Sequence, residues 1–448
     1  MLQTVIHPEK SFEDFNKVLE DVHYLISRYG IDKFTPSGKD SLERIKFMVL
    51  VHEGWKKAQN LVIAEILAMQ DELLIINKKI KRYNKNRRRK QANDLKKATK
   101  LINSRINKLK KSIDAIIWQI FSHEDHLLKR LFLNDSIDNI NRATLRQTLE
   151  FTDVENKKPS SLAICCDLST FVHVGDVLLL DLSEDKLALI ELKEGERNLK
   201  LHDVLTQFYQ TGCERNLFYN TRDFGEKDFK QLDRMAKQQW RMSQFKKVAE
   251  DGEGIDISSN KKVNVPDERT IVDGYETEII RMYEDLEKGK NWAIATIDGC
   301  LHLGLYKDHR LAFGFEAWMS ELAIDSKKID YLNVFSIPLA CPPFAQMLPD
   351  DLILKLSTEK YKLLLCLDIP TWIKKTNEAN IFPGELVFET PKKSRKLKME
   401  SRELVDYKGK LIKYVEGDTE GYVGYGILMK IFFRHYEPIS ALRAFNAK

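Results

Sequence analysis

The chain has 448 residues, 31% of them charged and 43% hydrophobic, with a formal net charge of +5. That length exceeds one compact core, so two or three domains are expected. No apolar run reaches the roughly 18 residues that a membrane-crossing helix needs, and MLQTVIHPEKSFEDF at the N-terminus lacks the basic-then-apolar order of a secretory signal. Cys165, Cys166, Cys213, Cys300, Cys341 and Cys366 show no CxxC or Cys/His spacing. They read as reduced structural thiols, which points to a cytoplasmic protein away from membranes. There is no GxxxxGK[ST] loop, so ATPase chemistry is not expected.

Residues 1–142 read as a helical region. Val62, Ile66, Met69, Leu73, Ile76, Ile80 and Tyr83 follow one another at alternating steps of four and three. Leu95, Thr99, Ile102, Ile106, Leu109, Ile113, Ile116 and Ile120 repeat the pattern. Two such heptad seams separated by NKNRRRKQAN predict an antiparallel coiled-coil hairpin over about 60–121. A single long dimerising helix is the rival, because the intervening stretch has no glycine or proline. Between Lys78 and Lys111 there are 16 Lys or Arg and one acid, so this block is +15 and the remainder −10. Lys81, Arg82, Lys85, Arg87, Arg88, Arg89 and Lys90 crowd the tip, a natural surface for a polyanion. The seam also offers a route to a homodimer or a partner protein.

From about Ser161 the pattern changes to short strand-like runs, SLAICCDL, VLLLDL and KLALIELK, inside a second segment of 143–262. Helical signals return from His202 to about Glu250, and EDGEGIDISSNKK follows as a polar loop. In the third segment, 263–448, a hairpin turning at Asp298-Gly299 is predicted. YLNVFSIPL, YKLLLCLDI, KLIKYV and YVGYGILMKIFF make that segment more strand-rich. The fold class is therefore mixed α+β.

VGDVLLLDLSEDKLALIELKEG, residues 174–195, is the stretch that carries chemistry. A turn near Ser183 folds two apolar runs together, bringing Asp176 at the start of one toward Glu191 and Lys193 near the end of the other. Side chains alternate on a strand, so Glu191 and Lys193 face the same way. Neighbouring carboxylates repel unless a cation joins them, and such an oxygen-rich site suits Mg²⁺ or Mn²⁺. A lysine alongside can act on water or on phosphate charge, which is what phosphodiester hydrolysis requires. Asp181 is a second carboxylate at the strand end, better placed to cap the turn. The competing reading is an edge hairpin with solvent-facing charges.

An aspartate at a strand start followed by acid-x-lysine on the next strand resembles the PD-(D/E)xK nuclease superfamily, over about 143–219. The resemblance implies a restriction-endonuclease-like αβ core. In it, Asp176, Glu191 and the Leu192 carbonyl are metal ligands and Lys193 is the catalytic lysine. Gly175 stands where the motif's name has proline. The family's upstream helix often adds an acid, here Glu150 or its competitor Glu124, and its following helix a glutamine, here Gln207. The residue four after that glutamine is Thr211 rather than tyrosine, with Tyr209 as a substitute. The implied function is a Mg²⁺-dependent nuclease acting on DNA more readily than RNA, in restriction or anti-phage defence. The alternative is a non-catalytic nucleic-acid-binding or assembly subunit on a degenerate nuclease fold.

Overall fold

The computed structural model describes residues 11–35, 41–132, 142–184, 186–192, 195–255, 262–265, 272–324, 326, 328–381, 384–400 and 404–445. The first half is helical: α1 (Phe12–Ser27), α2 (Tyr29–Lys33), α3 (Ser41–Lys85), α4 (Arg89–Ile120), α5 (Asp125–Leu131) and α6 (Arg142–Asn156). Next come β1 (Ser161–Cys165), β2 (Val177–Asp181), β3 (Lys186–Ile190), α7 (Gly195–Thr211), α8 (Glu214–Thr221) and α9 (Glu226–Asp251). β4 (Glu253–Ile255) and β5 (Lys262–Asn264) make a small hairpin within the expected loop. The remainder holds α10 (Glu276–Glu287), β6 (Trp292–Ile297), β7 (Leu301–Tyr306), α11 (Phe313–Glu321), β8 (Lys328–Asp330), α12 (Asp350–Ser357) and β9 (Lys362–Leu367). It ends with α13 (Ile369–Ala379), β10 (Glu385–Phe388), α14 (Pro391–Glu400), β11 (Asp406–Tyr407), β12 (Lys410–Glu416), β13 (Thr419–Tyr422) and α15 (Tyr425–Phe433). The class is mixed α+β, as the sequence indicates.

Two compact units share these elements. The hairpin unit comprises Met1–Ser27, Ala64–Ile116 and Glu268–Lys448, and the sheet unit comprises Arg28–Ile63 and Ile117–Asp267. The region 1–142, expected to stand apart, is thus divided. Polar side chains follow the same division: Lys108 and Lys111 of α4 bond carbonyls of the C-terminal part, whereas Gln59 of α3 bonds β1.

In the hairpin unit the predicted seam is largely buried. Ile66, Met69, Ile76, Leu95, Ile102, Ile106, Leu109, Ile113 and Ile116 are all enclosed. The chain reverses after Lys85 without glycine. Arg87 takes a left-handed φ of 56°, its N–H donates to Asn84 O, and the Arg88 N–H donates to Tyr83 O at 2.9 Å. That is a Schellman closure with arginine at the position where glycine is least strained. Further along α4, from Lys108 to Ile116, every residue is buried, so this half of the arm is core.

The same unit holds the antiparallel sheet β6-β7-β9-β8 and a second sheet, β10-β12-β11, with β13 on β12. The Asp298-Gly299 hairpin forms as expected, with both residues left-handed (φ 52° and 68°) and Cys300 N–H closing on Ile297 O. Two apolar runs read as strands are helical instead. Tyr331–Ser336 is a 3₁₀ turn capped by Asp330, whose carboxylate accepts the Leu332 N–H at 3.0 Å. Tyr425–Phe433 is α15, burying Ile427, Leu428, Ile431 and Phe432 on one face. A continuous apolar run carries no period that separates the two structures.

The sheet unit is built on an antiparallel three-stranded sheet of order β1-β2-β3. α7, α8 and α9 pack around Leu201, Val204, Leu205, Phe224, Leu232 and Met235. Among the described residues no helix is long and apolar enough to cross a membrane. The six cysteines are free thiols, and all but Cys213 are buried.

Candidate active site and nucleic-acid interface

β2 is the central strand, and its register sets the site. Val177 pairs with Ile190 on β3 and with Cys165 on β1. Asp176 is therefore the residue immediately before β2 and Glu191 the residue immediately after β3, at the same end of the hairpin. The Asp176 N–H donates to Ile190 O at 2.7 Å, and its carbonyl accepts the Cys166 N–H at 2.9 Å. The side chains of Asp176 and Glu191 are half-buried, and Oε2 of Glu191 is fully enclosed.

Burial pushes the Cys166 thiol well above the ordinary thiol range, and Cys165, Asp176, Asp167 and, least, Glu191 push it further in the same direction. One buried sulfur thus feels both acids. Its neighbour Cys165 is pushed up to about 12 by burial, then by Asp167.

Two local features fix Asp176. Its Oδ2 accepts the Leu192 N–H at 2.6 Å. Gly175 has a φ of +77°, and a Cβ there would stand 3.2 Å from Ile190 O. A proline, locked near −65°, cannot take that conformation, which explains the glycine at this position. The far side of β1 is closed by amides: Gln59 Nε2 and Asn156 Nδ2 both donate to Ala163 O, at 3.0 and 2.9 Å. In return, Gln59 Oε1 accepts the Cys165 N–H and Asn156 Oδ1 the Ala163 N–H. Sequence reasoning missed both amides. Asn156 lies only seven residues from its partner, but Gln59 lies 104 away and no local pattern announces it.

The remaining sequence-predicted site residues lie as follows. Lys193 falls outside the described residues. Glu150 is on the exposed side of α6, held by Arg146 Nε at 2.9 Å, and is not drawn to the sheet end. Glu124 precedes α5 and stands 3.3 Å from His126 Nδ1. Gln207 is exposed on α7 and accepts a hydrogen bond from Asn220 at 3.2 Å. Tyr209, also exposed, reaches Ala236 O on α9 at 3.5 Å. Asp181 caps the turn, accepting the Ser183 N–H at 2.8 Å and the Ser183 hydroxyl, which holds its carboxyl below the usual range. β3 is an edge strand, exposed at Lys186 and Leu187, so the edge reading fits its beginning but not the half-buried Glu191 beyond its end.

Among the described residues no three His, Cys, Asp or Glu side chains gather as a metal-holding group. Two carboxylates completed by a carbonyl and waters still fit Mg²⁺, which keeps several waters and takes one or two carboxylates.

The hairpin tip is the second candidate surface. Lys81, Arg82, Lys85, Arg87, Arg88, Arg89 and Lys90 are all exposed, and among the described residues none of these side chains is in an ion pair. The basic block does not stay exposed to its end. Arg105, Lys108, Lys110 and Lys111 are buried. Arg105 bonds Ser11 O at 3.3 Å, and Lys108 bonds Ser357 O and Glu359 at 2.9 and 2.8 Å.

Comparison with protein-family models, with curated proteins and with solved structures gives no match for this chain. The likeness to PD-(D/E)xK nucleases accordingly rests on the sequence pattern of Asp176, Glu191 and Lys193 alone.

Proposed function

We propose that the chain is a Mg²⁺- or Mn²⁺-dependent nuclease hydrolysing phosphodiester bonds, with DNA as the preferred substrate. A place in restriction or anti-phage defence follows from family analogy. The observation that supports it is the placement of Asp176 immediately before β2 and Glu191 immediately after β3, at the same end of one hairpin, both half-buried. Asp176 and Glu191 would hold the cation, with the Leu192 carbonyl beside them. When bound, the divalent ion stabilises charge on the phosphate and makes a nucleophile available at neutral pH. Leu192 N–H and the left-handed Gly175 keep the Asp176 carboxylate oriented. Lys193, two residues past Glu191, supplies an ammonium for phosphate charge or for the attacking water. The exposed cations of the hairpin tip supply sequence-independent, salt-sensitive phosphate contacts.

The test is cleavage of DNA and of RNA with Mg²⁺, beside Asp176→Ala, Glu191→Ala and Lys193→Ala. Each variant is expected to lose on the order of a thousandfold in rate, the worth of several kcal/mol of charge stabilisation. Equal cleavage by wild type and all three variants overturns the reading.

A second reading is a non-catalytic nucleic-acid-binding or assembly subunit. The observation favouring it is that Asp176 already accepts a backbone N–H and Glu150 already pairs with Arg146, roles that stabilise structure alone. It requires nucleic-acid binding that is indifferent to metal and to Lys193→Ala.

A further inference from the structure

Within the hairpin unit, α4 and the Tyr331–Ser336 turn line an open cleft of about 420 Å³. That volume falls in the range of small-molecule sites, about 300–1,000 Å³. One wall is a stripe of α4, Lys100, Asn103, Ser104, Asn107 and Lys108, spaced to share one helix face. The opposite wall includes Asn333, Ser336, Leu332 and the buried Phe335.

The charged groups of the lining divide sharply. Lys108 is bonded to Glu359 at 2.8 Å and to Ser357 O at 2.9 Å. Asp330 is paired with Lys362 at 3.0 Å and accepts the Leu332 N–H at 3.0 Å. Both carboxylates of the cleft are thus already matched to lysines. Lys100 is left as an exposed cation, and among the described residues the side chains of Asn103, Ser104, Asn107 and Asn333 make no hydrogen bond. A cationic ligand finds no acid to meet there. A ligand with one anionic group and a heterocycle presenting adjacent donor and acceptor atoms meets a lysine and several carboxamides. Carboxamides pair with such base edges two bonds at a time, and lysine is a common phosphate partner.

We propose that this cleft binds a nucleoside monophosphate unit, with Lys100 toward the phosphate and Asn103, Asn107 and Asn333 toward the base. The unit comes either from a free nucleotide or from one residue of a nucleic-acid strand. The site is separate from the sheet unit, and calorimetric binding does not depend on cleavage, so the nuclease reading and this one fail independently.

The experiment is isothermal titration of the full chain, in EDTA to prevent hydrolysis, with AMP, GMP, CMP and UMP, with adenosine, and with a short single-stranded oligonucleotide. At least one monophosphate or the oligonucleotide is expected to bind. Asn103→Leu/Asn107→Leu, at exposed positions that leave the fold intact, is expected to weaken it about tenfold or more. Lys100→Glu is expected to weaken phosphate-bearing probes while leaving adenosine unchanged. Oligonucleotide affinity well above that of any mononucleotide assigns the site to a strand, and comparable affinities assign it to a free nucleotide. No binding by any probe, or undiminished binding by the double variant, overturns the proposal.

Discussion

The base of the hairpin and the end of the three-stranded sheet both place charge in apolar surroundings, and they resolve it in opposite ways. At the base, Lys111 and Asp114 are fully buried 3.3 Å apart, and Lys111 Nζ donates to Pro338 O and Ala340 O at 2.6 and 3.1 Å. Burial pushes the ammonium below its ordinary range, with Asp114 opposing the shift. Opposite charges meet there, and the arrangement serves structure. At the sheet end two half-buried carboxylates, Asp176 and Glu191, sit at the same end of one hairpin, and in the proposed reading a cation offsets their like charge.

Stability measurements sharpen that contrast. Lys111→Ala leaves Asp114 as a buried acid and strips two carbonyls of their donor, so unfolding free energy is expected to fall by about 3–5 kcal/mol. Glu191→Gln removes one of the two acids at the sheet end and is expected to change stability by less than about 1 kcal/mol, or to raise it. Urea unfolding of the two variants checks both, and a Glu191→Gln loss as large as that of Lys111→Ala would show that the sheet end is a fastening too. A smaller effect separates the exposed tip from the buried base. Replacing Arg87, Arg88 and Arg89 by alanine should leave stability nearly unchanged. It should also flatten the slope of log affinity for duplex DNA against log salt by roughly 0.9 per lost phosphate contact, up to about 2.7. An unchanged slope would take the tip out of the interface.

Periodic and local features were legible in the sequence. The Leu95–Ile116 seam, the Asp298-Gly299 turn and the Asp181 cap each follow from spacing of one to four residues. What spacing could not show is which part of a long element finds a distant partner. The basic block looked uniform, yet Arg105, Lys108, Lys110 and Lys111 are drawn inside while the tip stays in solvent. Gln59 closes the β1 edge across 104 positions, and no pattern in the helix marks it. Tyr331–Ser336 and Tyr425–Phe433 became helical because a continuous apolar run is compatible with either period. Glu150 sat at a suitable offset in a suitable helix, but it lies on the exposed face with Arg146 four residues before it.

The most direct test of the central claim is Mn²⁺ binding followed by electron paramagnetic resonance on wild type, Asp176→Asn and Glu191→Gln. The account expects ion binding by the wild-type chain that both substitutions abolish or weaken at least tenfold, with the fold retained. Identical Mn²⁺ titrations for all three proteins, or no binding to any, would contradict it.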